Sequence, residues 1–377
     1  MVEKCYHIKG DGLFHDTYTL VGAYEGVKFG LEMELFTVDK RTLTPVHLPL
    51  PASSPIKGEL AREQIEIATS PHKSLTTLRD ELVELTRQAI DLAESQGASL
   101  LPIPLLDAQF TIRENPRYQL LERVLGASFS FHAPRVASDQ INIGAENEEQ
   151  AFFLYEQFRN VLPYLTGLSA ASPFRGQQVY RFMTRLDSYD MAVSEFPGLT
   201  GYPKALSSLE EYAREIESLP VFQHPNSYYK YMRPMPQRGV AAEIRSLDKQ
   251  PTLSRTLALA ALTKGLVMAA LDGAPLLSSY PLLHETFSIC RSEGVFDQQG
   301  TRNLLCLAYT HLPPGEQEFL DPLFDDPRPP ATAMVEQFKR GTSIPDIYHS
   351  IRDVFHAEVR RYVQNDTPVL PQYYDSW

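Results

Sequence analysis

The stretch Val27-Lys-Phe-Gly-Leu-Glu-Met-Glu-Leu-Phe-Thr-Val-Asp39 decides how the rest of the chain reads. At period two, Val27, Phe29, Leu31, Met33 and Leu35 fall on one face, and Lys28, Gly30, Glu32, Glu34 and Phe36 on the other. This predicts a strand with one apolar face and one face carrying two carboxylates. Side chains two apart on a strand point the same way, so Glu32 and Glu34 converge. Two neighbouring carboxylates repel unless a cation or a shared proton lies between them. A solvated outer strand face would read the same way, so the pattern gains weight only if it recurs.

It recurs three times. In 58–69, Gln64 and Glu66 share a face opposite Ile65 and Ile67; in 138–144, Gln140 and Asn142 lie opposite Ile141 and Ile143. In 240–248, Glu243 and Arg245 lie opposite Ile244 and Ser246. Between these strands, apolar spacing predicts helices over 76–98, 115–126, 147–170, 208–217 and 254–271, the last with Ser254 as N-cap and Gly273 as C-cap. The Gly/Pro/aromatic stretch 186–206 reads as a long ordered loop able to cover a site, and Pro45–Pro55 as a connection. The expected fold class is α+β: a curved, mostly antiparallel sheet with helices 76–98, 147–170 and 254–271 on one face and a concave polar face opposite. The expected division is a catalytic domain over 1–275, with 1–20 as an N-terminal arm, and a mostly helical region over 276–377 packed on the same domain.

With 377 residues the chain can bury a large core, as two or three domain-sized units or as one large α+β domain. The net charge of −12 argues against non-specific nucleic-acid binding, which needs a basic surface. Cys5, Cys290 and Cys306 are widely spaced without a CxxC, which suits a reducing, cytoplasmic setting rather than a disulfide framework or zinc site. The first residues show no basic segment followed by an apolar run, so no signal peptide is expected. Leu257 to Leu271 is interrupted by Thr263 and Lys264 and reads as a buried helix, so no membrane partner is expected. The ten histidines are scattered without HxxxH spacing, and Trp377 reads as tail or packing.

The wet strand faces pool Glu32, Glu34, Glu66 and Glu243, with Glu59 as a further candidate, alongside Gln64, Gln140 and Asn142. Glu63 falls with the isoleucines and reads as structural. Arg181, Arg185, Arg233 and Arg245 can reach the rim, although Arg185 also reads as a surface residue. Alternation is expected of any half-wet strand, but carboxylate enrichment is not. Carboxylate and amide oxygens without a Cys/His cluster favour hard cations, Mg2+ or Mn2+ rather than zinc. Carboxylates around divalent ions with arginines opposite are the equipment for a polyphosphate. No GxxxxGK[ST] and no kinase signature set is present.

Five ordered blocks carry a resemblance to a known family. Phe29-Gly-Leu-Glu-Met-Glu-Leu-Phe36 resembles the G-x-E-x-E opening of the glutamate–cysteine ligase family 2 proteins, or carboxylate–amine ligases. Gly58-Glu-Leu60 with Gln64-Ile-Glu-Ile-Ala-Thr69 is similar to that family's second strand. Leu168-Ser-Ala-Ala-Ser-Pro-Phe-Arg-Gly176 and Tyr180-Arg-Phe-Met-Thr-Arg185 resemble its SANSPF and arginine segments. Met232-Arg-Pro234 with Ala242-Glu-Ile-Arg-Ser-Leu-Asp-Lys-Gln250 resembles its R-P…E-x-R-x-x-D-x-Q strand. Gln140-Ile-Asn142 stands where many bacterial members carry H-x-H and plant-like glutamate–cysteine ligases carry Q-x-N. The C-terminal third lacks the tryptophan–arginine segment expected of the general ligase group.

The resemblance implies a glutamine-synthetase-like fold holding ATP and Mg2+, and a ligase that activates a carboxylate as an acyl phosphate. In the family the activated group is usually the γ-carboxylate of glutamate, and cysteine is the amine in the best-known members, a step of glutathione biosynthesis. On that reading Glu32, Glu34 and Glu66 hold metal, and Gln140, Asn142, Arg233 and Arg185 bind nucleotide or substrate. Arg245, Arg181 and Glu243 then do the catalytic work. The expected partners are amino-acid substrates, with a homodimer allowed. The rival reading is a catalytically silent nucleotide- or amino-acid-binding regulator on the same fold. A guanidino-modifying enzyme is a weaker third, because it would need a cysteine nucleophile that no context here supplies.

Overall fold

The quoted stretch forms strand β1 (Phe29–Asp39), and the other strands are arranged around it. The structure is a computed structural model. It describes residues 27–196, 198–219, 228–235, 239–276, 283–295 and 297–364. The expected N-terminal arm, Cys5 and Trp377 lie outside the described residues.

Among these residues β1 belongs to a seven-stranded sheet with β2 (Lys57–Gly58), β3 (Gln64–Ala68), β4 (Ala98–Leu101), β5 (Asp139–Gly144), β6 (Met232–Met235) and β7 (Val240–Ile244). The order is β6-β7-β5-β1-β3-β2, with β4 also pairing with β1, and every pairing is antiparallel. Register assembles the wet face. Glu34 stands opposite Glu66, Glu32 opposite Gln140, Asn142 opposite Glu243, and Glu243 opposite Arg233. Directly opposed residues share a face, so four modest sequence patterns become one surface. On the other face Leu31, Met33, Leu35, Ile65, Ile67, Ile141, Ile143 and Ile244 enter the core.

That apolar face packs within a helical layer. Helix α1 (Leu75–Ser95) starts at Ser74, whose hydroxyl accepts from Thr76 N, and buries Leu78, Leu82, Leu85 and Ile90. Helix α2 (Pro116–His132) opens behind an Asn115 cap and is broken at Gly126 (φ 68°), where the expected helix 115–126 ended. Helix α3 (Glu148–Ser169) is capped by Asn147 and carries Pro163 inside it. The expected loop 186–206 is helical over its first third: α4 (Thr184–Ala192) is followed by a short strand at Thr200–Gly201 that pairs in parallel with Tyr229–Lys230. Its acids Asp187 and Asp190 pair with Arg291, a tertiary partner that local pattern cannot reveal. Helix α5 (Leu209–Glu217) follows.

Helix α6 (Leu253–Leu271) is long and apolar enough to cross a membrane by length and composition, but it is buried in the core. Its N-cap is Thr252, not Ser254: Thr252 is extended (φ −140°) and its hydroxyl accepts from Arg255 N at 3.3 Å. Gly273, at φ +79°, stands one residue past the C-cap Asp272.

The helices α7 (Leu283–Glu293), α8 (Gln298–His311), α9 (Asp321–Asp325), α10 (Pro330–Lys339) and α11 (Ile344–Val363) follow among the described residues. Leu304, Leu305, Leu320, Phe355 and Val359 join the same core as β1. From α11, buried Glu358 accepts the backbone N–H groups of Leu253 at 2.6 Å and Ser254 at 2.9 Å, capping α6 from over a hundred residues away. Glu358→Ala strands two buried donors and is expected to lower unfolding free energy by about 2–5 kcal/mol. Urea titration followed by circular dichroism would show this as a lower midpoint; an unchanged midpoint would deny the cap its role.

Candidate active site

The wet sheet face is not left open. Residues of α2 and α4 stand across it, and between the two walls lies a cavity of about 440 Å³. Glu32, Glu34, Glu59, Gln64, Glu66, Gln140, Arg233, Glu243 and Arg245 line the sheet side. Arg117, Tyr118, Leu121, Phe129, Tyr189 and Val193 line the helical side.

Glu34 is held at both oxygens. One accepts from Ser138 N at 2.7 Å and Ser138 Oγ at 2.9 Å, and the other from Gln140 Nε2 at 2.9 Å. Gln140 Oε1 in turn accepts from Arg245 Nη1 at 2.9 Å. Asn142 donates to Glu32 Oε1 at 3.2 Å. Glu243 pairs with Arg233 and lies 3.2 Å from Arg245 Nη1. The site is therefore a chain of amides between carboxylates, ending in two arginines around one acid.

The carboxyls differ in how readily they ionise. Burial opposes ionisation of Glu243, but Arg245 and Arg233 together hold it below the usual range. Burial raises Glu34 against the pull of Arg245, and burial with the Glu243 charge raises Glu32. Burial and the charges of Glu32 and Glu34 push Glu66 up to about 7. Burial and the charges of Glu34 and Glu66 push Glu59 up to about 8. Each of the last three is held up in part by like-charge repulsion, which a bound cation would relieve.

Among the described residues no three His, Cys, Asp or Glu side chains form a ready-made metal cage. The donor set nonetheless fits a hard divalent ion: all oxygen, carboxylate-rich, with amides rather than imidazoles beside it.

The structure brings Glu32, Glu34, Glu66, Gln140, Asn142, Arg233, Glu243 and Arg245 together. It does not bring Arg181, which lies at a second cavity beside α4, its guanidinium 3.3 Å from Asp187. Arg185 lines the cleft wall, with its Nε 2.7 Å from buried Asp248; at 2% exposure it is not a surface arginine. Glu63 is structural, its carboxylate accepting from Thr111 N at 3.0 Å. Arg117, Tyr118, Tyr189 and Tyr229 were not legible as site residues. They reach the cavity from helices and a short strand outside the alternating pattern.

The class that fold and site define is an α+β protein whose antiparallel sheet carries carboxylates and arginines on one enclosed wet face. Within that class the chain belongs to glutamate–cysteine ligase family 2, whose model matches residues 28–289. A Ruegeria pomeroyi protein with the provisional name glutamate–cysteine ligase 2 is 28% identical over 258 residues, 63% of this chain and 64% of that one. A Rubrobacter xylanophilus protein, provisionally named glutamate–cysteine ligase 2-3, is 29% identical over 71% of this chain and 75% of its own length. The chain thus spans less than two thirds of the first of these relatives.

In fold the chain is similar to a bifunctional glutathione synthetase from Pasteurella multocida (TM-score 0.67, 15% identity, 89% of this chain and 53% of that one). It is equally similar to a glutamate–cysteine ligase from Francisella tularensis solved in complex with AMP (TM-score 0.66, 14% identity, 93% and 91%). At these identities the likeness is one of fold.

Proposed function

We propose that this protein is an ATP- and Mg2+-dependent ligase that activates a carboxylate as an acyl phosphate and joins it to an amine. Glutamate is the donor proposed, through its γ-carboxylate, and cysteine the first amine to test. The observation that carries the reading is the convergence of Glu32, Glu34, Glu59, Glu66 and Glu243 on one cavity with Arg233 and Arg245 among them. A plain binding site for a nucleotide or amino acid would not need five carboxylates facing an anionic ligand.

Glu32, Glu34 and Glu66 would hold the divalent ion, which when bound neutralises phosphate charge. Asn142 and Gln140 fix the rotamers of Glu32 and Glu34 through the hydrogen bonds given above. Arg245, anchored by Gln140 and Glu243, supplies positive charge where a phosphoryl group passes from nucleotide to carboxylate. Arg233 shares Glu243 and is placed to meet a substrate carboxylate. The α2 and α4 wall, with Leu121, Phe129 and Val193, keeps water away from an acyl phosphate.

The experiment is phosphate release from ATP and Mg2+ with glutamate, screened across amines with cysteine first. Release that needs both amino acids, with a dipeptide mass appearing, supports the full reading. Release with another amine keeps the mechanism and replaces cysteine. ATP binding without release under any pair would make the protein a silent binding regulator.

A further inference from the structure

We propose that Arg185, with Asp248 and Ser172, positions the phosphoryl-neutralising Arg245; this rests on the ligase reading above. Arg245 is the first residue beyond β7, where the strand ladder has ended. Its guanidinium can meet a phosphoryl group only if the backbone beneath it is held by something else.

That hold comes from two sides. Arg245 N and Ser246 N both donate to the Tyr231 carbonyl, at 2.8 and 3.0 Å. From the other side, Arg185 Nη2 donates to the carbonyls of Ser246 at 2.7 Å, Leu247 at 3.1 Å and Arg245 at 3.3 Å. The same guanidinium is fixed in turn, because Nε donates to Asp248 Oδ1 at 2.7 Å. Asp248 Oδ2 accepts from Ala171 N at 2.8 Å and Ser172 Oγ at 2.7 Å, and Ser172 Oγ accepts from Arg185 N at 3.0 Å.

Arg185 is 2% exposed and Asp248 0%. Three segments far apart in the chain thus close on the residue beneath Arg245. Arg245 itself lines the cavity. A lysine cannot replace Arg185, since one ammonium cannot meet a carboxylate and a row of three carbonyls together.

The test uses Arg185→Lys and the charge-neutral pair Arg185→Gln with Asp248→Asn, which leaves no lone buried carboxylate if the first variant fails to fold. Each is assayed for kcat and for the KM of ATP, alone and combined with Arg245→Lys. The expected result is a kcat about tenfold lower or more, with KM for ATP nearly unchanged, and no further loss on adding Arg245→Lys. Losses that multiply, or a raised KM with kcat intact, would overturn the proposal. If the unmodified protein releases no phosphate with any amine, the ligase reading fails by itself. Positioning is then decided by a crystal structure of the folded variant. Arg245 displaced from Gln140 sustains it, and a retained 2.9 Å contact refutes it.

Discussion

Glu34→Gln is expected to reduce ATP turnover by about a thousandfold or more while the protein melts within a few degrees of the parent. The two halves have one cause. Glu34 is half-buried in the cavity wall and the desolvation raises its pKa, so its charge opposes folding; it is retained for what it binds. Glutamine has the same shape and can still accept from Ser138, but loses the good contact to Gln140 on the other side. The gain from removing a half-buried charge and the loss of one hydrogen bond are of similar size and opposite sign. Phosphate release and a thermal melt on the same sample check both halves. Normal turnover would remove Glu34 from the metal site, and a collapsed melt would make it structural instead.

Stability is expected to fall as pH rises from about 5 to about 8, and Mg2+ is expected to restore it. Glu66 and Glu59 carry raised pKa values of about 7 and about 8 in the fold, against 4.5 in the unfolded chain. Below pH 4.5 both states hold these protons and nothing is lost. Above it the unfolded chain ionises freely while the fold resists, so stability drops until each carboxyl ionises in the fold as well. For Glu66 alone this corresponds to about 3 kcal/mol. A divalent ion that binds the ionised set reverses the loss, because it binds the fold and not the unfolded chain. Melting temperatures between pH 5 and 9, with and without Mg2+, read this out. A flat profile would mean that the carboxyls do not crowd one another, and a Mg2+-independent decline would leave the ion no site here.

Much of the fold was legible because its signal is local. The alternation in 27–39, 64–68 and 139–144 names both faces of three strands, and the helices at Leu75–Ser95, Glu148–Ser169 and Leu209–Glu217 fall within a few residues of their expected spans. Helix α4 was not legible. It buries only Thr184, Arg185, Leu186 and Ala192, too few for a clear period, and depends on Arg291 for the partner of its acids. The cap of α6 was misplaced because Thr252 and Ser254 are equally good cap residues in sequence, and only backbone dihedrals separate them.

The arginines show the same division within the site. Arg181, Arg185, Arg233 and Arg245 are one residue type, and all four lie in or beside family-like motifs. Sequence alone determined the carboxylate face, because strand period places Glu32, Glu34 and Glu66 without any knowledge of what packs nearby. It also determined family membership, because five short blocks hold their order. Only the tertiary structure decided which arginines face the cavity, since that depends on where long side chains find acids. Asp248 takes Arg185 into the core, Asp187 keeps Arg181 at another cavity, and Glu243 holds Arg233 and Arg245 over the carboxylates. A strand's period is a property of consecutive residues, whereas an ion pair is a property of segments that meet only on folding.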